Sequence, residues 1–261
     1  MKAISLENYA TKYESLQMTR QDGVLEVVLH TNGKSLVFSK TVHEELGFAF
    51  ADIAADRENK VVILTGTGET FCTDFDPESF KSFNGLGKNI TAMGWDQTLW
   101  RGQHNIRRQL EIPVPTIGVL NGAATVHSEL ALLGDIVLAA DIAIIQDFPH
   151  FGNGVAPGDG VQVIFPLLMG LNRGRYFLLT QQKLSAKEAL DLGLVNEVLP
   201  RNELLPRARE LAAQIAQQPP LALRYARLLL TQRLKQLMDE SVGFGLALEG
   251  LSAIETFRTQ G

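Results

Sequence analysis

Apolar and polar positions alternate across residues 16–29, and the alternation is interrupted once, at Asp22-Gly23. Alternation puts one face of a strand in a core, and Asp-Gly supplies the positive-φ residues that a two-residue hairpin turn needs. The pattern therefore predicts a β-hairpin near the start. A helical stretch over residues 41–55 then leads to Val61-Val62-Ile63-Leu64-Thr65-Gly66, a fully apolar run closed by glycine, which reads as a strand buried on both faces. Together these form a β-β-α-β unit. The unit recurs: a polar, helix-compatible region over residues 98–110, an apolar strand over 116–120, a short helix after His127, and closely spaced strands over 135–145.

Beyond Pro157 the pattern turns helical. Ser185-Ala186-Lys187-Glu188 has the form of a capping box, in which the serine accepts from the third-position amide while the glutamate reaches back, and Gly193 ends that helix. Amphipathic stretches over 202–217 and 221–237 are separated by Pro219-Pro220, and a further one spans 241–257. The expectation is an α/β core over residues 1–200 and a helical segment over 201–261, with no linker to mark a second independent domain.

A chain of 261 residues, 45% hydrophobic and 20% charged, is long enough for one sizeable core. Its apolar runs fall short of the ~20 residues of a membrane span, and residues 1–12 lack the apolar region of a secretory signal. Cys72 is the single cysteine, which excludes an intrachain disulfide and any multi-cysteine metal site. A cytoplasmic, reducing address is expected. A net charge of −5 with scattered basic residues argues against nucleic acid as a partner. The cluster Arg224, Arg227, Arg233 and Lys235 reads as a solvated helix face.

Of the five histidines, His30, His43 and His104 read as surface residues, whereas His127 and His150 follow strand-to-loop transitions where functional groups tend to be displayed. Residues 146–160 pack four glycines and two prolines around His150, Asp147 and Asp159. Backbone of that kind costs stability and usually positions something. Asp159 either returns to His150 as the carboxylate that orients a base, or caps the helix beginning near Gly160. Gly66-Thr67-Gly68 lacks the third glycine and lysine of a phosphate loop, the His-Glu pairs lack zinc spacing on one helix face, and no Gly-x-Ser-x-Gly elbow occurs.

Several of these segments, taken in order, resemble the crotonase (enoyl-CoA hydratase/isomerase) superfamily over about 200 residues. They are the 61–66 strand, Phe71-Cys72-Thr73-Asp74-Phe75-Asp76, Pro115 to Gly122, Glu129-Leu130-Ala131, residues 135–139, Pro157-Gly158 and residues 185–198. The resemblance implies a spiral of β-β-α turns with a helical C-terminal region that makes trimers, and an oxyanion site of two backbone amides, here those of Phe75 and Val126. The chain departs from the hydratase pattern in two places. Residues 123–129, Ala-Ala-Thr-Val-His-Ser-Glu, replace a glycine run, and His150 after Pro149 stands where hydratases carry glutamate.

These departures resemble the β-diketone hydrolases of the superfamily, the group that contains 6-oxocamphor hydrolase. That resemblance implies a site of His127, His150, Asp159 and Glu249. Lys34-Ser35-Leu36-Val37-Phe38 also resembles that group, with Phe38 at a position where it carries tryptophan. The implied reaction is retro-Claisen cleavage of a cyclic or bicyclic 1,3-diketone to a keto acid. In it His150, oriented by Asp159, activates water, and His127 donates to the enolate. Glu249 sits in an otherwise apolar helix, as a surface residue or as a carboxyl of raised pKa that manages a proton. Phe38, Phe83, Phe148 and Phe151 are candidates to wall the pocket. No metal or organic cofactor is required. The expected partners are a small-molecule diketone and further copies of the chain, as a homotrimer or a dimer of trimers, the late helices carrying apolar stripes. An acyl-CoA hydrolase or lyase of the same fold is the alternative, and a non-catalytic binding member is a third.

Overall fold

The computed structural model describes residues 4–259; the ends of the sequence on which the signal-peptide reading and the 201–261 segment partly rest, residues 1–3 and 260–261, lie outside them. The elements in chain order are β1 (Leu16–Gln21), β2 (Val24–Leu29), β3 (Leu36–Phe38), α1 (Lys40–Ala55), β4 (Val61–Gly66), β5 (Thr70–Phe75), α2 (Ala92–Glu111), β6 (Thr116–Leu120), β7 (Ala123–Ala124) and α3 (Glu129–Leu132). They continue with β8 (Ile136–Ala140), β9 (Ile144–Ile145), α4 (Val161–Met169), α5 (Leu171–Thr180), β10 (Leu184–Ser185), α6 (Ala186–Asp191), β11 (Glu197–Leu199), α7 (Arg201–Ile215) and α8 (Pro220–Thr259). The opening hairpin forms as its sequence requires, with Asp22 at φ 52° and Gly23 at φ 85° in the turn.

Strands are dealt alternately to two sheets. One runs β1-β2-β4-β6-β8-β11 and the other β10-β9-β7-β5-β3. From β2 onward the large sheet is parallel, as is the smaller one from β3 to β9. Each β-β-α turn thus gives one strand to each sheet and a helix to the outside, which is the crotonase-like spiral. Alternation within β4 explains its apolar run. Val62 and Leu64 enter the main core, while Val61 and Ile63 face the opposite side and pack with Leu204, Ala208 and Ala212 of α7.

The late helical segment differs from expectation in two respects. Stretches 221–237 and 241–257 are one 40-residue helix, α8. No glycine or proline interrupts residues 238–240, and a buried stripe of Leu223, Arg227, Thr231, Met238, Val242, Leu246, Glu249 and Ala253 runs its length. Nor is the Arg224/Arg227 cluster a solvated face. Arg227 is 2% exposed, its guanidinium donating to Asp135 and to the Thr116 hydroxyl, while Asp135 accepts from the Thr116 amide at 2.7 Å. The pair tethers α8 to the edge where β6 and β8 begin.

Candidate active site

Five segments converge on one cavity of about 700 Å³: the end of β5, the β7–α3 loop, the β9–α4 loop, and the inner faces of α2 and α8. Its lining mixes apolar side chains, Phe38, Phe80, Trp95 and Leu246 among them, with a cluster of histidines and carboxylates. His127, His150, Asp159 and Glu249, predicted from sequence, all line it.

His127 sits in the left-handed region at φ 49°, a conformation that costs a non-glycine residue of order 1 kcal/mol and persists where its surroundings demand it. Its Nδ1 lies 2.7 Å from Glu129 Oε1, and its ring lies over Phe38 with centroids 3.7 Å apart. Glu129 is buried on α3, and burial raises its pKa against the pull of His127. Burial alone would lower the pKa of His127, but the Glu129 carboxylate outweighs it and the net direction is up. The sequence reading passed Glu129 over as a family mark; its place in the first turn of a short buried helix, two residues after a histidine, was the available signal.

His150 is 4% exposed. Its orienting partner is Asp147, whose Oδ1 is 2.6 Å from Nδ1, and not Asp159 as the sequence suggested. The path of the loop decides this: its three residues fold Asp147 back onto the ring, whereas Asp159 approaches from across the cavity to 3.7 Å of Nε2. Burial works against the imidazolium, yet the carboxylates of Asp159 and Asp147 hold the pKa of His150 well above the ordinary histidine value. Asp159 makes no helix cap; Gly160 is the N-cap of α4 and no side chain caps it. The carboxylate stands instead between the histidines, 3.6 Å from Nδ1 of His127 and 3.7 Å from Nε2 of His150.

Glu249 belongs to the buried stripe of α8, is 8% exposed, and brings Oε1 to 3.8 Å from His150 Nε2. Burial raises its pKa, with His150 pulling the other way. What allows the loop and the helix to meet is a pair of facing glycines. A Cβ on Gly158 would lie 2.2 Å from the Gly245 carbonyl oxygen, and one on Gly245 would lie 2.4 Å from that of Gly158. Trp95 fixes the other side of α8 by donating its indole N–H to the Leu246 carbonyl at 2.8 Å.

Other expectations need correction. Phe38 lines the cavity from within and Phe148 from the rim, 53% exposed, but Phe83 and Phe151 do not line it. Phe83 packs on Phe80 and under Arg101, and Phe151 is 49% exposed because the 151–153 turn faces outward. The Val126 amide, expected as an oxyanion donor, already donates to the Cys72 carbonyl at 3.2 Å, since without glycines the 123–126 segment stays laddered to β5. His43 is buried, not a surface residue. It lies on the face of α1 turned to α2, where the Asn105 amide donates to its carbonyl at 3.0 Å, and its ring meets the edge of Phe38. Burial, with His127 and Arg101 nearby, pushes its pKa down to about 3, so it lines the cavity as a neutral ring.

Comparison with known proteins adds lineage to this geometry. Residues 19–244 match the enoyl-CoA hydratase/isomerase family. A carnitinyl-CoA dehydratase of Proteus mirabilis is 30% identical over 211 residues, covering 80% of this chain and 77% of that protein. A solved structure of a beta-diketone hydrolase from the cyanobacterium Anabaena sp. PCC 7120, bound to (S)-3-oxocyclohexyl acetic acid, superposes with a TM-score of 0.90 at 48% identity. It covers 95% of this chain and 97% of its own. An enoyl-CoA hydratase/isomerase structure from Mycobacterium paratuberculosis shares the fold at a TM-score of 0.85 with 23% identity, covering 94% and 96% of the two chains.

Proposed function

This chain belongs to the enoyl-CoA hydratase/isomerase family, and within it we propose a hydrolase that cleaves a C–C bond of cyclic or bicyclic 1,3-diketones. The observation that carries the reading is the polar cluster lining the cavity: two histidines, each held at Nδ1 by its own buried carboxylate at 2.6–2.7 Å, facing one shared aspartate. The pairing suits a reaction that needs a base for water at one end and a hydrogen-bond donor for an anion at the other. The ligand named for the Anabaena relative carries a ketone and a carboxylic acid, the two groups that adding water across a 1,3-diketone C–C bond produces.

In the proposed sequence the neutral form of His150, which gains population as pH rises because Asp159 and Asp147 hold its pKa well above the ordinary value, takes a proton from water at Nε2 as the oxygen attacks one carbonyl. Asp147 fixes the tautomer and stabilises the imidazolium that forms. The tetrahedral adduct collapses to a carboxylic acid, the bond to the central carbon breaks, and the electron pair leaves as the enolate of the second carbonyl. His127 meets that charge. Its Nδ1 faces Glu129, and both groups have raised pKa values. With its pKa raised, His127 as the imidazolium donates Nδ1–H to Glu129 and keeps Nε2–H for the developing oxyanion, a bond of a kind worth ~3–4 kcal/mol. The Phe75 amide is the remaining backbone candidate. Protonation of the enolate carbon completes the keto acid, with Asp159 and Glu249 beside His150 to return the proton. Phe38 and Trp95 would hold the hydrocarbon frame of the substrate.

The test is loss of the ultraviolet absorbance of enolisable 1,3-diketones over a panel of cyclic substrates, with an enoyl-CoA control, for wild type and His150→Ala. Conversion of a diketone to a keto acid, abolished in the variant, is the expected result. Turnover of CoA thioesters with no reaction of any diketone would replace this reading with the acyl-CoA one.

A further inference from the structure

The three polar groups that handle protons in the hydrolytic reading also have the spacing of a ligand set. His150 Nε2 is 3.7 Å from Asp159 Oδ2 and 3.8 Å from Glu249 Oε1, so neither carboxylate is within hydrogen-bond distance of it, and all three atoms lie within 4.8 Å of one another. We propose that His150, Asp159 and Glu249 form a site for a divalent transition-metal ion of the zinc class, with its remaining position open to the cavity.

Donors at about 2.0–2.2 Å from a tetrahedral zinc sit roughly 3.3–3.6 Å from one another, so the two histidine–carboxylate spacings close onto an ion with movements of a few tenths of an ångström, and the two carboxylates start within 4.8 Å of each other. The histidine is prepared for it. Asp147 holds Nδ1 at 2.6 Å, which turns Nε2 toward the two carboxylates, where an ion binds by displacing the Nε2 proton, and supplies the carboxylate–histidine–metal relay that raises ligand basicity. Glu249, more than nine-tenths buried, points Oε1 into the site and leaves Oε2 with no partner among the described residues, as does Asp159 with Oδ1. Asp147, Asp159 and Glu249 lie around one imidazole, so an ion there meets three carboxyl groups. One nitrogen and two oxygens in a three-residue set suit zinc or cobalt(II) rather than calcium, which takes six to eight oxygens. The neighbouring trio of His127, Glu129 and Asp159 is a poorer host because His127 Nδ1 is already engaged by Glu129 at 2.7 Å.

An ion there occupies the lone pair that would take the proton from water. The consequence that zinc turns hydrolysis off rests on the function proposed above; the binding itself does not. Isothermal titration of the full chain with zinc chloride, with buffer free of chelators, is expected to show one ion per chain at micromolar affinity. Glu249→Gln should weaken it at least about tenfold, and His30→Ala, remote from the cavity, should leave it unchanged. Cobalt(II) should give the visible d–d absorption of a four-coordinate centre. Zinc should raise the thermal midpoint of wild type and not of Glu249→Gln, which separates loss of a ligand from loss of folding. A folded wild type that takes up no zinc stoichiometrically, or takes it up equally well as Glu249→Gln, overturns the site. Stoichiometric binding that leaves diketone cleavage untouched keeps the site and overturns His150 as the base.

Discussion

Asp147 is the residue whose role is most sharply exposed to test. It contributes no atom to the proposed reaction, yet among the described residues it is the one hydrogen-bonded to His150 Nδ1, at 2.6 Å. Asp147→Asn preserves shape and removes the charge that favours the productive tautomer and stabilises the imidazolium. We expect kcat to fall roughly a hundredfold or more with KM little changed. Asp159→Asn should instead affect both steps, because that carboxylate faces both histidines. If Asp147→Asn were nearly silent, Asp159 would have to be reinstated as the orienter. His43 supports a prediction about acid stability. Its pKa is depressed from 6.5 to about 3 in the native state, so the stability linked to its neutral form is present in full above pH 6.5. That stability is lost progressively as pH falls toward 3, because the unfolded chain binds a proton that the folded one refuses. Between pH 7 and 4.5 wild type should lose about 2–3 kcal/mol more than His43→Phe, read from urea midpoints. Equal losses would mean that His43 titrates freely.

The site depends on how closely a loop and a helix can approach, and two glycines set that limit. Gly245→Ala places a methyl 2.4 Å from the Gly158 carbonyl, so the 157–160 loop must retreat from α8 and separate Asp159 from Glu249. The expected outcome is 1–3 kcal/mol of destabilisation and a loss in kcat/KM well beyond what that instability accounts for. Activity at wild-type level with a shifted melting point would show that the loop has slack.

What the sequence disclosed and what it hid follow from the same distinction between periodicity and approach. The hairpin, the buried strands and the capping box at Ser185 were readable because each is set by neighbours within a few positions. His127, His150, Asp159 and Glu249 were readable as a set through resemblance and through the glycine-rich loop, and all four line one cavity. The partners of the histidines were not. Asp147 lay three residues from His150 in plain view, but spacing alone could not choose between it and Asp159. His43 and Arg227 looked solvated because polarity outweighed position; burial came from Asn105, Asp135 and Thr116, brought in from distant segments.

At the scale of the molecule, α8 is the element with most left to do. Its inner stripe closes the cavity and anchors Arg227, while its outer face leaves Leu221, Tyr225, Leu229, Leu230, Phe244 and Leu251 more than half exposed. So much uncovered apolar surface on one helix is the mark of an interface, and the expected partner is further copies of the chain in threes. Light scattering after gel filtration should give three or six times the 28.7 kDa chain mass, and a double change, Leu229→Asp with Phe244→Asp, should reduce it to one. A monomeric wild type would leave the apolar face unexplained. If subunits do meet there, Glu249 and Leu248 occupy adjacent positions of the same turn, one facing the chemistry and the other a neighbour. Catalysis then becomes subject to mass action between protomers. Specific activity should hold constant in concentrated enzyme and decline on serial dilution, with a lag on reconcentration as the subunits find each other again.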